Sequence, residues 1–152
     1  MGISLHASAL AGDDMRLALP IIQATWAGID MTAWLNFGAF FNVGDANRSG
    51  ILALRDAANV ICGVAAYRLE HSLEGREFLV HLFTAVDLAN SLTTIQALLD
   101  AITVRARQLR CQSLKIRLDW RQADLADRLR ALGLADSATL FRKPIDPTEL
   151  LQ

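Results

Sequence analysis

Two groups of residues in this chain have types and spacing suited to chemistry. Glu77 and His81 stand four apart in a run that reads as a strand, so both side chains fall on one face. Carboxylates and imidazoles are among the side chains able to carry protons for a reaction at ordinary pH. The second group, Asn90, Ser91, Thr93 and Thr94, lies at the head of a long helical pattern. A helix start presents unpaired backbone N–H groups and the positive end of the dipole to an anion, and hydroxyls add donors. An ordinary capped helix start with no bound anion is the alternative. Metal chemistry finds no support: Cys62 and Cys111 lack ligand spacing, and His6, His71 and His81 are scattered. The two cysteines read as reduced, small apolar residues.

The elements that must position these groups follow from periodicity. Ile3 to Ala7 predicts a first strand, and Met15 to Ala27 a helix that Pro20 forces to begin late or bend. Asp30 is a suitable cap for a second helix, Met31 to Asn42, which carries Trp34, Phe37, Phe40 and Phe41 and no charge. Such a helix is buried, or it covers a partner or an apolar ligand; core packing or a homodimer surface and an acceptor pocket are the competing uses. After the loop at Gly44 to Gly50 the period changes to that of strands. Ile51–Arg55, Val60–Glu70 and Glu77–Val86 predict a three-stranded antiparallel meander. From Ser91 to Arg110 the apolar positions Ile95, Leu98, Leu99, Ile102, Ala106 and Leu109 keep helical spacing, with Asn90 as the N-cap. Ser113 to Leu118 alternates as a strand, a shorter helix opens at Asp119 or Arg121 and runs to Leu132, and Gly133 ends it. Ala138 to Arg142 predicts a last strand.

This order of elements, over roughly residues 50 to 143, resembles the acyl-CoA N-acyltransferase (GNAT) superfamily. Thr84-Ala85-Val86-Asp87 is similar to the end of the family's central strand, Gly63 to the glycine of the strand before it, and Ala131-Leu132-Gly133-Leu134 to its "Leu-Gly-Phe" step. The resemblance implies a single GNAT-like acyltransferase domain over residues 1–152. Its α/β (α+β) fold has a mixed, mostly antiparallel sheet with helices on both faces. It implies acetyl-CoA or another acyl-CoA as co-substrate and a small-molecule or peptide amine as acceptor. By the same resemblance, backbone at Thr84, Ala85 and Val86 pairs with pantetheine, and Asn90, Ser91, Thr93 and Thr94 meet the pyrophosphate. Gln122 lies near pantetheine, and His81 is either the catalytic base or a structural histidine. The family's cofactor-facing set then corresponds to Val80, Leu82 and Thr84, with His81 on the opposite face unless a bulge changes the parity. The sequence departs from the pattern in two places. The loop from Leu88 to Gln96 has no glycine, and the position of the family's helical tyrosine is Leu129, the only tyrosine being Tyr67.

Composition narrows the classes further. Hydrophobic residues make up 53% and charged residues 20%, which excludes a disordered chain. A net charge of −1 argues against a nucleic-acid partner. Ten of the fifteen Lys and Arg residues follow position 100, the distribution expected of a solvated helix face or of an anionic co-substrate. The first fifteen residues show no basic region before an apolar stretch, and no window has about 18 uninterrupted apolar residues. Neither a signal peptide nor a membrane span is expected, and the cytoplasm is the default location. Three functions remain: N-acetyl transfer; a catalytically impaired GNAT-fold protein serving as a ligand-binding or protein-interaction module; and a sensor or scaffold on another small α/β fold.

Overall fold

The computed structural model describes residues 4–86 and 92–146. Five strands form one sheet in the order β1 (His6–Ala9), β2 (Ser49–Arg55), β3 (Ile61–Ser72), β4 (Gly75–Ala85) and β5 (Ser113–Ile116). The first four are antiparallel in succession, and β5 joins β4 in parallel. A parallel neighbour requires a crossover, and α3 (Thr93–Gln108) supplies it on one face of the sheet. The remaining helices are α1 (Leu19–Gln23), α2 (Met31–Phe41) and α4 (Ala123–Ala131). The sheet is therefore mixed and mostly antiparallel, with helices on both faces.

Each face buries its own apolar set. Under α3 and α4, Phe78, Val80 and Phe83 of β4 meet Ile95, Leu98, Ile102 and Leu129. All six apolar positions read from the periodicity of α3 are buried. On the other face Trp34 and Phe41 of α2 pack with Ile22, Ile51, Val64 and Ala66. Asp30 caps α2, accepting from Ala33 N at 2.8 Å, a contact worth about 1 kcal/mol. The Trp34 indole N–H donates to the Met15 carbonyl at 2.7 Å, which makes Trp34 a fully satisfied core residue.

Four expectations need correction. The first strand is His6–Ala9, not Ile3–Ala7, because its register is set by pairing with Arg55 through Leu52. In place of one helix from Met15 to Ala27 stands a 3-10 segment, Gly12–Ala18, followed by α1 of only five residues. Pro20 lies in the first turn of α1, where its missing N–H costs nothing, and so it fixes where the α-helix starts. The helix α3 begins at Thr93 with Leu92 at its N-cap and no side-chain cap bond; Asn90 and Ser91 lie outside the described residues. Finally, Ala138–Arg142 forms no strand. Leu140 and Phe141 are adjacent and both exposed, so the segment lacks the alternation that would seat it on a sheet.

Candidate functional site

The pairing of β4 with β5 ends early. Its last rung is Val80 with Ile116, followed by one bond from Arg117 N to the Val80 carbonyl at 2.9 Å. Beyond it β4 continues for five residues to Ala85 while β5 leaves the sheet, and a cleft opens between them. The two strands thus separate from His81 onward.

His81 is also where β4 bulges. Ala66 pairs with Leu82 and Tyr67 with Val80, so His81 has no rung of its own. The bulge reverses the parity: Val80 and Phe83 both enter the α3 core, whereas Leu82 and Val86 pack toward α1 and α2. His81 lies on this second face as well, its ring centroid 5.3 Å from that of Phe41. The structure therefore brings His81, Leu82 and Val86 to one face and removes Val80 from it. Glu77 shares that face but is bound to Lys115 Nζ at 2.9 Å.

The surroundings of His81 define its state. Arg117 Nη1 stands 3.4 Å from Nδ1, and Glu70 Oε1 is 3.9 Å from Nε2. A guanidinium only donates, so Nδ1 accepts and the ring proton sits on Nε2, facing Glu70 at beyond hydrogen-bond length. Burial first, then the positive charges of Arg117 and Arg68, hold the His81 pKa below the ordinary imidazole value, against the opposing pull of Glu70. Arg68 is itself stacked, its guanidinium carbon 4.1 Å from the centre of the Phe40 ring.

Across the cleft, Gln122 is 6% exposed and uses both ends of its amide. Nε2 donates to the Phe83 carbonyl at 2.7 Å, and Oε1 accepts from Asp119 N at 3.0 Å. Asp119 in turn accepts from Arg121 N at 2.9 Å, closing a capping box, and that backbone bond is the main reason its pKa is lowered. Strand alternation turns the N–H and C=O of Phe83 and Ala85 toward the cleft. Those of Val86 point the other way, as the bond from Val86 N to the Cys62 carbonyl confirms.

The first turn of α3 lies at the cleft end of the sheet. Gly63 pairs with Ala85, and a Cβ on Gly63 would stand 3.3 Å from Leu98 Cδ2, one turn inside the helix. Thr93 is exposed there, whereas Thr94 is buried and turns its hydroxyl away from solvent. Arg105, near the other end of α3, reaches Tyr67 and the Ala46 carbonyl at the far end of the sheet. The Tyr67 hydroxyl donates to the same carbonyl at 2.9 Å, remote from the cleft. Leu129, where the family's tyrosine would stand, is buried in the α3 core. Trp120 is exposed, with the Arg121 guanidinium 4.7 Å from its ring.

Glu70, Arg68 and Arg117 are the site residues that periodicity alone did not single out. The sequence carries no clear signal for the bulge, because Phe78-Leu79-Val80 and Leu82-Phe83 are consecutive apolar residues that fit either parity. Among the described residues no group of three or more His, Cys, Asp or Glu is placed to hold a metal, and no helix is long and apolar enough to cross a membrane.

No family model matches the chain, and no curated protein does. Solved structures do. The aminoglycoside N-acetyltransferase AAC(6')-Iy in complex with CoA superposes with a TM-score of 0.76 at 12% identity, covering 95% of this chain and 97% of that one. A transcriptional regulator from Bacillus halodurans C-125 gives 0.74 at 9% identity, covering 93% and 100%. A GNAT family acetyltransferase from Staphylococcus aureus gives 0.70 at 12%, covering 93% and 99%. With the bulged fourth strand, the parallel fifth and the cleft between them, the chain has the acyl-CoA N-acyltransferase (GNAT) fold in a divergent form.

Proposed function

We propose that the protein is an acyl-CoA-dependent N-acyltransferase, acetyl-CoA being the simplest donor. The observation that carries this reading is the cleft between β4 and β5, with Ala85 directing a backbone donor and acceptor into it. An extended amide chain such as pantetheine pairs with that strand edge as a further strand would. The first turn of α3, where Thr93 is exposed, receives the pyrophosphate; Thr94, its hydroxyl buried, contributes backbone N–H alone. Gln122 fixes the width of the cleft. Two structural neighbours are described as complexes with CoA or with a CoA bisubstrate analogue, which supports an acyl-CoA ligand.

On the face carrying His81, an acceptor amine attacks the thioester carbonyl carbon. The new C–N bond forms as the C–S bond breaks, and the proton shed by nitrogen ends on the CoA sulfur. His81 serves as the base once Arg117 releases Nδ1. Orientation supplies most of the acceleration, because a thioester is already activated. The reading includes one domain spanning the chain.

Calorimetry with acetyl-CoA tests the proposal, comparing the wild type with Thr93→Glu. A carboxylate at the helix start repels the anion by roughly 1 to 4 kcal/mol at about 4 Å, so affinity falls about fivefold or more. Folding is spared, because a negative charge in a first helical turn is favourable by about 0.3–1 kcal/mol. Equal affinity in both proteins, or none in either, rejects the assignment.

A second reading has its own support. Leu129 stands in the core where a tyrosine would act, and the lone pair of His81 is held by Arg117. A GNAT-fold protein that binds a ligand or a partner without catalysis fits those two facts, and one neighbour of near-equal likeness is described as a transcriptional regulator. Acetyl-CoA binding without thiol release, across a panel of amines, would favour it.

A further inference from the structure

The side chains around His81 carry an unbalanced charge. Helices α1 and α2 cover the β2–β3 part of their face, and the β3–β4–β5 part beyond Phe41 is polar. Cross-strand pairing places Arg68 opposite Leu79 and Leu79 opposite Lys115, so one face of three strands presents these groups together. Lys115 and Glu77 neutralise each other at 2.9 Å. What remains is two cations, Arg68 and Arg117, against one anion, Glu70, around an imidazole that burial and both guanidiniums keep neutral. The cluster is open to solvent, with Arg117 exposed and the Glu70 side chain 43% exposed. Phe40 and Phe41 form its apolar wall, the Arg68 guanidinium lying 4.1 Å and 5.4 Å from their ring centres.

We propose that this cluster seats an acceptor amine that carries an anionic group, carboxylate or phosphate, a few bonds from its nitrogen, and that it rejects polycations. The proposal rests on the acyltransferase reading for the amine's role as acceptor. Among the described residues Glu70 is the one uncommitted carboxylate beside His81, and it takes the ammonium end. Arg117, free to swing from His81 toward a better acceptor, takes the anion, and in doing so it vacates Nδ1. Binding of the anion thus uncovers the Nδ1 lone pair. A plain amine gives Arg117 no reason to leave. A polycation meets two guanidiniums with a single carboxylate to offset them. The anion-bearing amine satisfies all three groups, because charge-assisted hydrogen bonds form at both ends.

Ligand-observed NMR with matched probes tests this directly, on the protein alone and with saturating CoA. One pair is L-phenylalanine and L-phenylalaninamide, which differ in the carboxylate. A second is phosphoethanolamine and ethanolamine, and spermine represents the polycations. We expect the anion-bearing member of at least one pair to bind about tenfold or more tightly, the two pairs together showing which anion is preferred. Arg117→Gln, at an exposed position, removes most of that preference without loss of fold, and Arg68→Lys retains it. Equal binding within both pairs, or spermine binding most tightly, overturns the proposal. If the anion preference holds but calorimetry finds no acetyl-CoA binding, the acyltransferase reading falls and the acceptor role with it, leaving an anion-selective amine site.

Discussion

Gln122 Nε2 donates to the Phe83 carbonyl oxygen at 2.7 Å, so a side chain does the pairing where the fifth strand has already left the fourth. The same amide accepts from Asp119 N, and the contact therefore ties the start of the last helical segment to the central strand. Replacing Gln122 by Leu leaves a buried carbonyl and a buried N–H unpaired. At about 1–3 kcal/mol for each of these unsatisfied groups, we expect a loss of about 2 to 6 kcal/mol in urea unfolding. Gln122→Glu sets two acceptors against each other at neutral pH, raising the carboxyl pKa in the folded state. Its deficit should therefore shrink as pH falls through that raised value, when the protonated acid can donate. A loss below about 0.5 kcal/mol in Gln122→Leu would mean that water replaces the amide.

His81 makes a pH prediction whose sign is fixed by its surroundings. Its folded-state pKa lies below the unfolded value near 6.5, because burial and two guanidiniums oppose protonation. Between those two values the unfolded chain binds the extra proton, so stability falls as pH drops below about 6.5. His81→Gln removes that term. Urea unfolding at pH 5.5 and 7.5 should show a smaller pH difference in the variant than in the wild type. An equal difference in both proteins would place the titration on another group.

Arg110 occupies a conformation that favours glycine. It stands one residue past Leu109, the C-cap of α3, with φ of 59°, and the bonds from Cys111 N to Ala106 O and from Arg110 N to Arg107 O close the helix around it. A non-glycine residue in that region costs about 1–2 kcal/mol. Arg110→Gly should raise the Tm, with a gain of roughly 0.5 to 1 kcal/mol after the loss of a favourable charge at the helix end. The corresponding place after α4 already holds Gly133, at φ of 98°. A drop in Tm would show that the Arg110 side chain contributes more than its backbone costs.

Periodicity carried the long-range architecture because the deciding elements are amphipathic. The stripe from Ile95 to Leu109 admits one buried face, and the meander from Ile51 to Ala85 leaves that face to be covered. The ends of the chain were less legible. Pro20 announces a helix start but not the 3-10 segment before it, and Leu140 with Phe141 looks like a strand until a pairing partner is sought. The site was harder still. His81 and Gln122 stand out by type, yet the bulge that turns His81 toward Phe41 depends on pairing with β3, a tertiary fact. Arg68 and Glu70 of β3 and Arg117, one residue past β5, meet around His81 only because both strands pair with β4.

The central claim is that acyl-CoA occupies the cleft between β4 and β5, and an amide NMR titration with CoA tests it most directly. The account predicts the largest shifts at the Ala85 backbone amide, at Thr93 to Ile95, and at the Gln122 side-chain NH2, with little change near Tyr67 and Arg105 at the other end of the sheet. A folded spectrum unmoved at millimolar CoA, or shifts concentrated around Tyr67 and Arg105, would contradict it.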